Sequence, residues 1–207
     1  MTDFESAVTG LSGLRVFGAA SAKAHGLPDP YERWLRRSNG GVAFDGALRF
    51  FPAVSEEGLR DIAFWNSEAG WKSVYGPLSP SGLLIFAEDG FGVQFGFLPN
   101  ERVARFWNET AEVEPLDMDA IEFVEAIAAD PNGTISRDLF GEASRLLGRL
   151  ALSEHFAFRV ETALGGTPTA DNLQKMDAVE HMRASAKIAR QIAHLPLGTR
   201  IERVERE

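Results

Sequence analysis

Four histidines, His25, His155, His181 and His194, are the side chains of this 207-residue chain best suited to proton transfer or metal ligation near neutral pH. No two stand at the HxxxH or HExxH spacing that places paired imidazoles on one helical face. Asp177 and His181 lie at i and i+4 and could share a metal, although a solvent-exposed helix pair is the simpler reading. The chain has no cysteine, which removes disulfides, thiolate zinc sites and thiol nucleophiles. Serines and acids are plentiful, but no GxSxG elbow accompanies them. Gly90-x-Gly92-x-x-x-Gly96 opens a second strand-like run, so it lacks the helix N-terminus that cradles a phosphate. Gly165-Gly166 reads as a turn. The expectation is a non-enzyme without catalytic residues, metal or cofactor.

Recognition chemistry is better represented. Trp65, Trp71 and Tyr75 lie close to Glu56, Glu57 and Asp61, and aromatics ringed by charge are typical of binding hot spots. The competing reading puts Trp65 in the core and Trp71 over the glycine-rich side of a hairpin. Glu112 and Glu114 complete the candidate partner-binding set; they belong to a stretch, Glu109–Glu125, that holds seven acids and no base. The net charge is −9, with 20 acids and 10 bases in residues 1–130 against 10 acids and 11 bases beyond. Such a front half repels a nucleic-acid backbone and attracts a basic protein, although charge of this size also serves solubility. Arg33, Arg36 and Arg37 are its one local basic cluster and read as a solvated helix face.

These residues need a scaffold, and its centre is Gly82–Phe97, two apolar runs around Asp89-Gly90. A two-residue type I′ turn would set Glu88 opposite Phe91, Phe86 opposite Val93 and Leu84 opposite Phe95. Leu84, Phe86, Phe91, Val93, Phe95 and Phe97 would then share an oily face, with Gly92, Gln94 and Gly96 on the other. Around it the sequence predicts a short helix at Asp3–Val8 and a helix opened by Leu27-Pro28-Asp29-Pro30 and ended by Asn39-Gly40-Gly41. A hairpin turning at Asp45-Gly46 and a partly helical Ser55–Tyr75 come next, then a short helix after Asn100 carrying Val103, Phe106 and Trp107. An edge strand in Glu109–Asp117 and a helix at Met118–Ala129 follow.

Asp130-Pro131-Asn132-Gly133 is the candidate boundary between a domain at 1–130 and an extension at 131–207, packed as one unit with it. The extension reads as a helix after Ser136, an extended piece at Phe156–Val160, and one long or two short helices between Asp171 and Leu195. Its stripe Met176–Ala193 could pair with a second copy, giving a homodimer; the tail Arg200–Glu207 is expected to fray. No apolar run approaches the roughly 20 residues of a membrane span, and the acidic N-terminus lacks a secretory pattern, so the expected location is cytoplasmic, away from membranes. The fold class is α+β: a central antiparallel sheet with flanking helices and a mostly helical C-terminal extension packed on it.

The order of elements resembles the SUKH superfamily, which includes fungal cell-wall assembly regulators and bacterial toxin-immunity proteins. The residues that carry it are Leu27, Pro28, Tyr31, Leu35, Asn39-Gly40-Gly41, Leu84–Phe86, Asp89, Gly90, Gly92, Phe95, Ile121, Phe123 and Ile127. Asp138-Leu139-Phe140, Leu147-Gly148, Leu150, Glu154, Phe156, Phe158 and Leu164-Gly165-Gly166 are similar to the C-terminal part of type VI secretion immunity proteins that carry a GAD-like domain. The chain departs from them in lacking a GAD-like tryptophan signature and in its longer C-terminal helix. The resemblance implies an intracellular immunity protein that binds a cognate toxin, often a nuclease and expected to be basic. A regulatory adaptor binding a host signalling partner is the alternative.

Overall fold

Asp3 accepts the Ser6 amide at 2.7 Å and starts helix α1 (Phe4–Thr9), where a short helix at Asp3–Val8 is expected. The computed structural model describes residues 3–19, 26–196 and 198–199. The tail expected to fray and His25 lie outside them. Strand β1 (Arg15–Val16) leads to helix α2 (Asp29–Ser38), which carries Pro30 in its first turn and stops where Asn39 adopts the left-handed conformation. Strands β2 (Gly41–Ala43) and β3 (Leu48–Phe50) turn through Phe44–Gly46, where three consecutive residues have positive φ. Of the partly helical stretch only α3 (Ile62–Asn66) and a 3₁₀ segment (Lys72–Leu78) form.

Strands β4 (Leu84–Asp89), β5 (Gln94–Phe97), β6 (Val103–Trp107) and β7 (Glu112–Met118) complete a seven-stranded antiparallel meander in the order β1 to β7. Residues Val103–Trp107 were expected to be helical and are a strand. Their apolar positions fit both periods, and pairing with Gln94–Phe97 decides in favour of alternation. Helix α4 (Ala120–Ala129) begins with a full capping box, Asp119 with Glu122. The C-terminal region contains α5 (Pro131–Ile135), α6 (Arg137–Leu147), a hairpin of β8 (Glu154–Phe158) and β9 (Leu173–Asp177), and α7 (Ala178–Ile192). Met176 is therefore in a strand and not in the long helix. The helix starts only where Asp177 caps the amides of Val179 and Glu180.

The central hairpin has a different register from the two-residue turn. Glu88 faces Gln94, Ala87 faces Phe95, Ile85 faces Gly96 and Leu84 faces Phe97, with a bulge at Phe86. The cause is Asp89, whose Oδ1 accepts the amides of Phe91 and Val93 at 2.8 and 2.9 Å and lengthens the connection. Phe91 thereby leaves the Phe86–Phe97 face and packs among Phe140, Phe156 and Phe158.

The sheet is the middle of three layers. On one side Tyr31 and Trp34 of α2 and Phe123 of α4 pack on Phe50, Phe86, Phe95 and Phe97. On the other lie Trp65, Trp71, Tyr75, β8 and α7. Glycines let this second layer approach: a Cβ on Gly90 would sit 2.4 Å from the Phe140 ring, and one on Gly92 would sit 3.0 Å from His155 Nδ1. Substituting Gly90→Ala should therefore destabilise the chain by about 1–3 kcal/mol in urea unfolding. Gly82→Ala, with nothing within 4 Å of the new methyl, should be close to neutral.

Candidate functional site

One row of paired residues crosses the sheet: Arg49 opposite Glu88, Glu88 opposite Gln94, and Gln94 opposite Phe106. The alternation that points Phe50, Ala87 and Phe95 to one face points these polar side chains to the other. Arg49 and Glu88 are fully buried, and Arg49 Nη1 lies 3.3 Å from Glu88 Oε1. The guanidinium also donates to the carbonyls of Gly46, Leu152 and Glu154, at 3.3, 3.2 and 2.7 Å, so it stitches β3 to the entry of β8. Gln94 Nε2 donates to Glu88 Oε2 at 3.2 Å, and Trp65 Nε1 donates to Gln94 Oε1 at 2.7 Å. His155 Nε2 lies 3.0 Å from Glu88 Oε2 but is not aligned for a hydrogen bond, so the contact is electrostatic. His155 Nδ1 meets His181 Nδ1 at 3.1 Å, one ring donating to the other.

Burial works to raise the Glu88 carboxyl, yet His155, Arg49 and Gln94 together hold it below the ordinary range. Burial, helped by His155, holds His181 well below the usual histidine range. A general base must reach its substrate, and both side chains are fully buried, Glu88 at the back of one groove. Their arrangement is a clamp between the sheet and the C-terminal region. Histidines without motif spacing in sequence meet here because β8 and α7 fold onto the same strand row.

Of the grooves around the clamp, two border the sheet. The larger, about 360 Å³, lies between the ends of β6 and β7 and the α5–α6 and β8 region. Asp89 lines it and is 3% exposed, its carboxyl pushed up to about 7 by burial against the opposing pull of two amides. Arg105, also lining it, stands 5.0 Å from the Trp107 ring centroid and 3.7 Å from Glu114, and its Nε is buried without an acceptor. Trp107 is 37% exposed and donates from Nε1 to Glu114 Oε2 at 3.0 Å. A second groove of about 320 Å³ is lined by Glu56, Glu57, Ser153 and Asp177.

The residues expected to bind a partner separate into two groups. Trp65, Trp71 and Tyr75 are buried, stacking on Phe51, Phe106 and each other, so none presents its ring to a docked protein. This corrects their reading as exposed hot spots: the polar row and the flat glycine side of the sheet needed aromatic cover. The acids stay at the surface. Glu57 pairs with Arg15 through both oxygens at 2.9 Å, and Asp61 caps α3 through Phe64 while binding Ser55. Glu56 is half-buried; Glu112 is exposed on the edge strand, two residues before the half-buried Glu114. The stripe expected to pair two copies is also consumed internally, with Met182, Ala186 and Ala189 buried within the chain. Asp89, Arg105 and Trp107 escaped sequence reasoning. A carboxylate inside an otherwise apolar hairpin was the one available signal.

Among the described residues no group of three or more His, Asp or Glu side chains could hold a metal ion, and no helix is long and apolar enough to cross a membrane. A family model described as "T6SS immunity protein Tdi1, C-terminal" matches residues 122–189, from α4 through most of α7. The match supports kinship of this part with a toxin-immunity family. No curated protein matches the chain. Among solved structures, "Crystal structure of Atu4351 from Agrobacterium tumefaciens" is similar at a TM-score of 0.55 and 17% identity, covering 83% of this chain and 85% of that one. At that identity the likeness extends to the fold alone.

The raised Asp89 carboxyl has a consequence for stability. Between the ordinary 3.8 and about 7 the folded chain holds a proton that the unfolded chain has released, so this group lowers stability as pH rises through that window. Asp89→Asn keeps an oxygen for the Phe91 and Val93 amides and removes the charge. The variant should match the parent in urea unfolding near pH 4 and exceed it at pH 8 by roughly 2–4 kcal/mol.

Proposed function

We propose that this chain is a non-catalytic, intracellular immunity protein that binds a cognate bacterial toxin and neutralises it through an acidic surface. The observation that carries the reading is the family-model match over residues 122–189, a region that supplies part of the second layer and part of the lining of each groove. The SUKH-like order of elements in the front part belongs to the same proposal. Physical support comes from the charge. Glu112, Asp117 and Asp119 are exposed along β7 and the start of α4, and Glu56 and Glu57 line the smaller groove, with Asp61 bonded to Ser55 of the same lining. A basic toxin would be steered toward such a surface before contact. Binding by surface complementarity needs no cofactor.

The test is co-expression with a candidate toxin from the neighbouring genes. Cells carrying both should grow, and cells carrying the toxin alone should die; equal killing in both overturns the reading for that pair. With purified components, association should slow by about tenfold or more between 0.05 and 0.5 M salt while dissociation changes little. A salt-independent association rate would remove the acidic-surface mechanism.

A further inference from the structure

We propose that the groove beside β6 and β7 is the seat for a toxin segment bearing an arginine or lysine, whose cation is taken by the Asp89 carboxylate. The proposal rests on the immunity reading and adds where and by what chemistry the toxin is held. Asp89 is nine-tenths buried, and its Oδ1 is occupied by two amides, yet its Oδ2 has no hydrogen-bond donor among the described residues. A carboxylate oxygen left without a donor at the lining of a groove can take one from an occupant. The walls are apolar: Phe91, Val93, Leu139 and Phe158 match the aliphatic stem of a long cationic side chain.

Charge selects the sign of the occupant. The lining carries three carboxylates, Asp89, Glu109 and Glu112, against one guanidinium, Arg105. An anion would meet Arg105 at the expense of all three. A peptide segment satisfies both signs, because its cation goes to Asp89 while its backbone carbonyls are available to the Arg105 guanidinium at the lining. Trp107, partly exposed at the groove and already beside one guanidinium, offers a face for the arriving segment. This groove unites surfaces from both halves of the chain, so the intact fold is required to form it.

The experiment measures binding of a catalytically inactivated form of that candidate toxin to the full-length protein and its variants. Asp89→Asn and Trp107→Ala should each weaken binding about tenfold or more. A Glu68→Gln variant, exposed and outside the lining of this groove, should bind as the parent does. Thermal unfolding verifies that each variant is folded, and Asp89→Asn is expected to be the more stable protein, so misfolding does not mimic the effect. As a second probe, the capped peptide Ac-Leu-Arg-Leu-NH₂ should shift the Trp107 indole resonance, and its citrulline counterpart should not. Parental affinity in both groove variants overturns the groove and leaves the immunity reading standing. Equal shifts from the two peptides overturn the assignment of a cation. A parent that does not bind the toxin overturns both readings together.

Discussion

A carboxylate fully enclosed in the middle of a sheet cannot stay ionised without partners, and Glu88 gathers them from three parts of the chain. Arg49 comes from the neighbouring hairpin, Gln94 from the paired strand, and His155 from the C-terminal region. Removing two charges from water costs several kcal/mol per ion unless geometry and further hydrogen bonds compensate. Here the compensation is shared: Arg49 spends its remaining donors on carbonyls of residues 46, 152 and 154. The polar row therefore specifies where β8 must lie. An apolar row would have allowed the C-terminal region to slide over the sheet.

The glycines and aromatics of the hairpin serve that placement. Gly90 and Gly92 leave room that Phe140, His155 and His181 fill, so the C-terminal region reaches the sheet backbone itself. Trp65 closes the row by donating to Gln94, and Trp71 and Tyr75 continue the cover over Phe106. The hydrophobic core is continuous from Phe4 to Ala189, with the hairpin at its centre. Because the second layer is anchored through charge and filled through rings, its borders with the sheet and with β7 have fixed shapes. Both grooves lie along those borders.

Asp89 links the scaffold to the surface. Its Oδ1 holds the hairpin connection in place, and its burial raises the cost of its charge. A group that shapes the backbone while remaining electrostatically unsatisfied is the kind of local conflict that functional sites retain at the expense of stability. The surrounding acids of β7 reinforce a negative rim, and Arg105 beside Trp107 keeps the lining from being uniformly negative. In the proposed reading, steering and seating fall to different residues: the exposed acids act at long range, and Asp89 acts only on contact.

The sequence by itself determined the class of fold and much of its inventory. Turn residues and apolar periodicity are local, so α1, α2, α4, the first hairpin and the edge strand were legible, α2 from Pro30 and Asn39, the hairpin from Asp45-Gly46 and α4 from Ile121, Val124 and Ile127. The acidic bias of the front half was legible for the same reason, since charge needs no contacts. Where two periods fitted one segment, as at Val103–Trp107 and Leu173–Asp177, only pairing with another strand could choose. The hairpin register followed from Asp89 bonding two amides, which a pattern of apolar residues does not encode. Tertiary structure alone decided that Trp65, Trp71 and Tyr75 are cover and not contact surface. It also brought together Arg49, Glu88, His155 and His181 from distant parts of the chain. Burial and the meeting of charges depend on which faces pack together, and that is set by the whole chain.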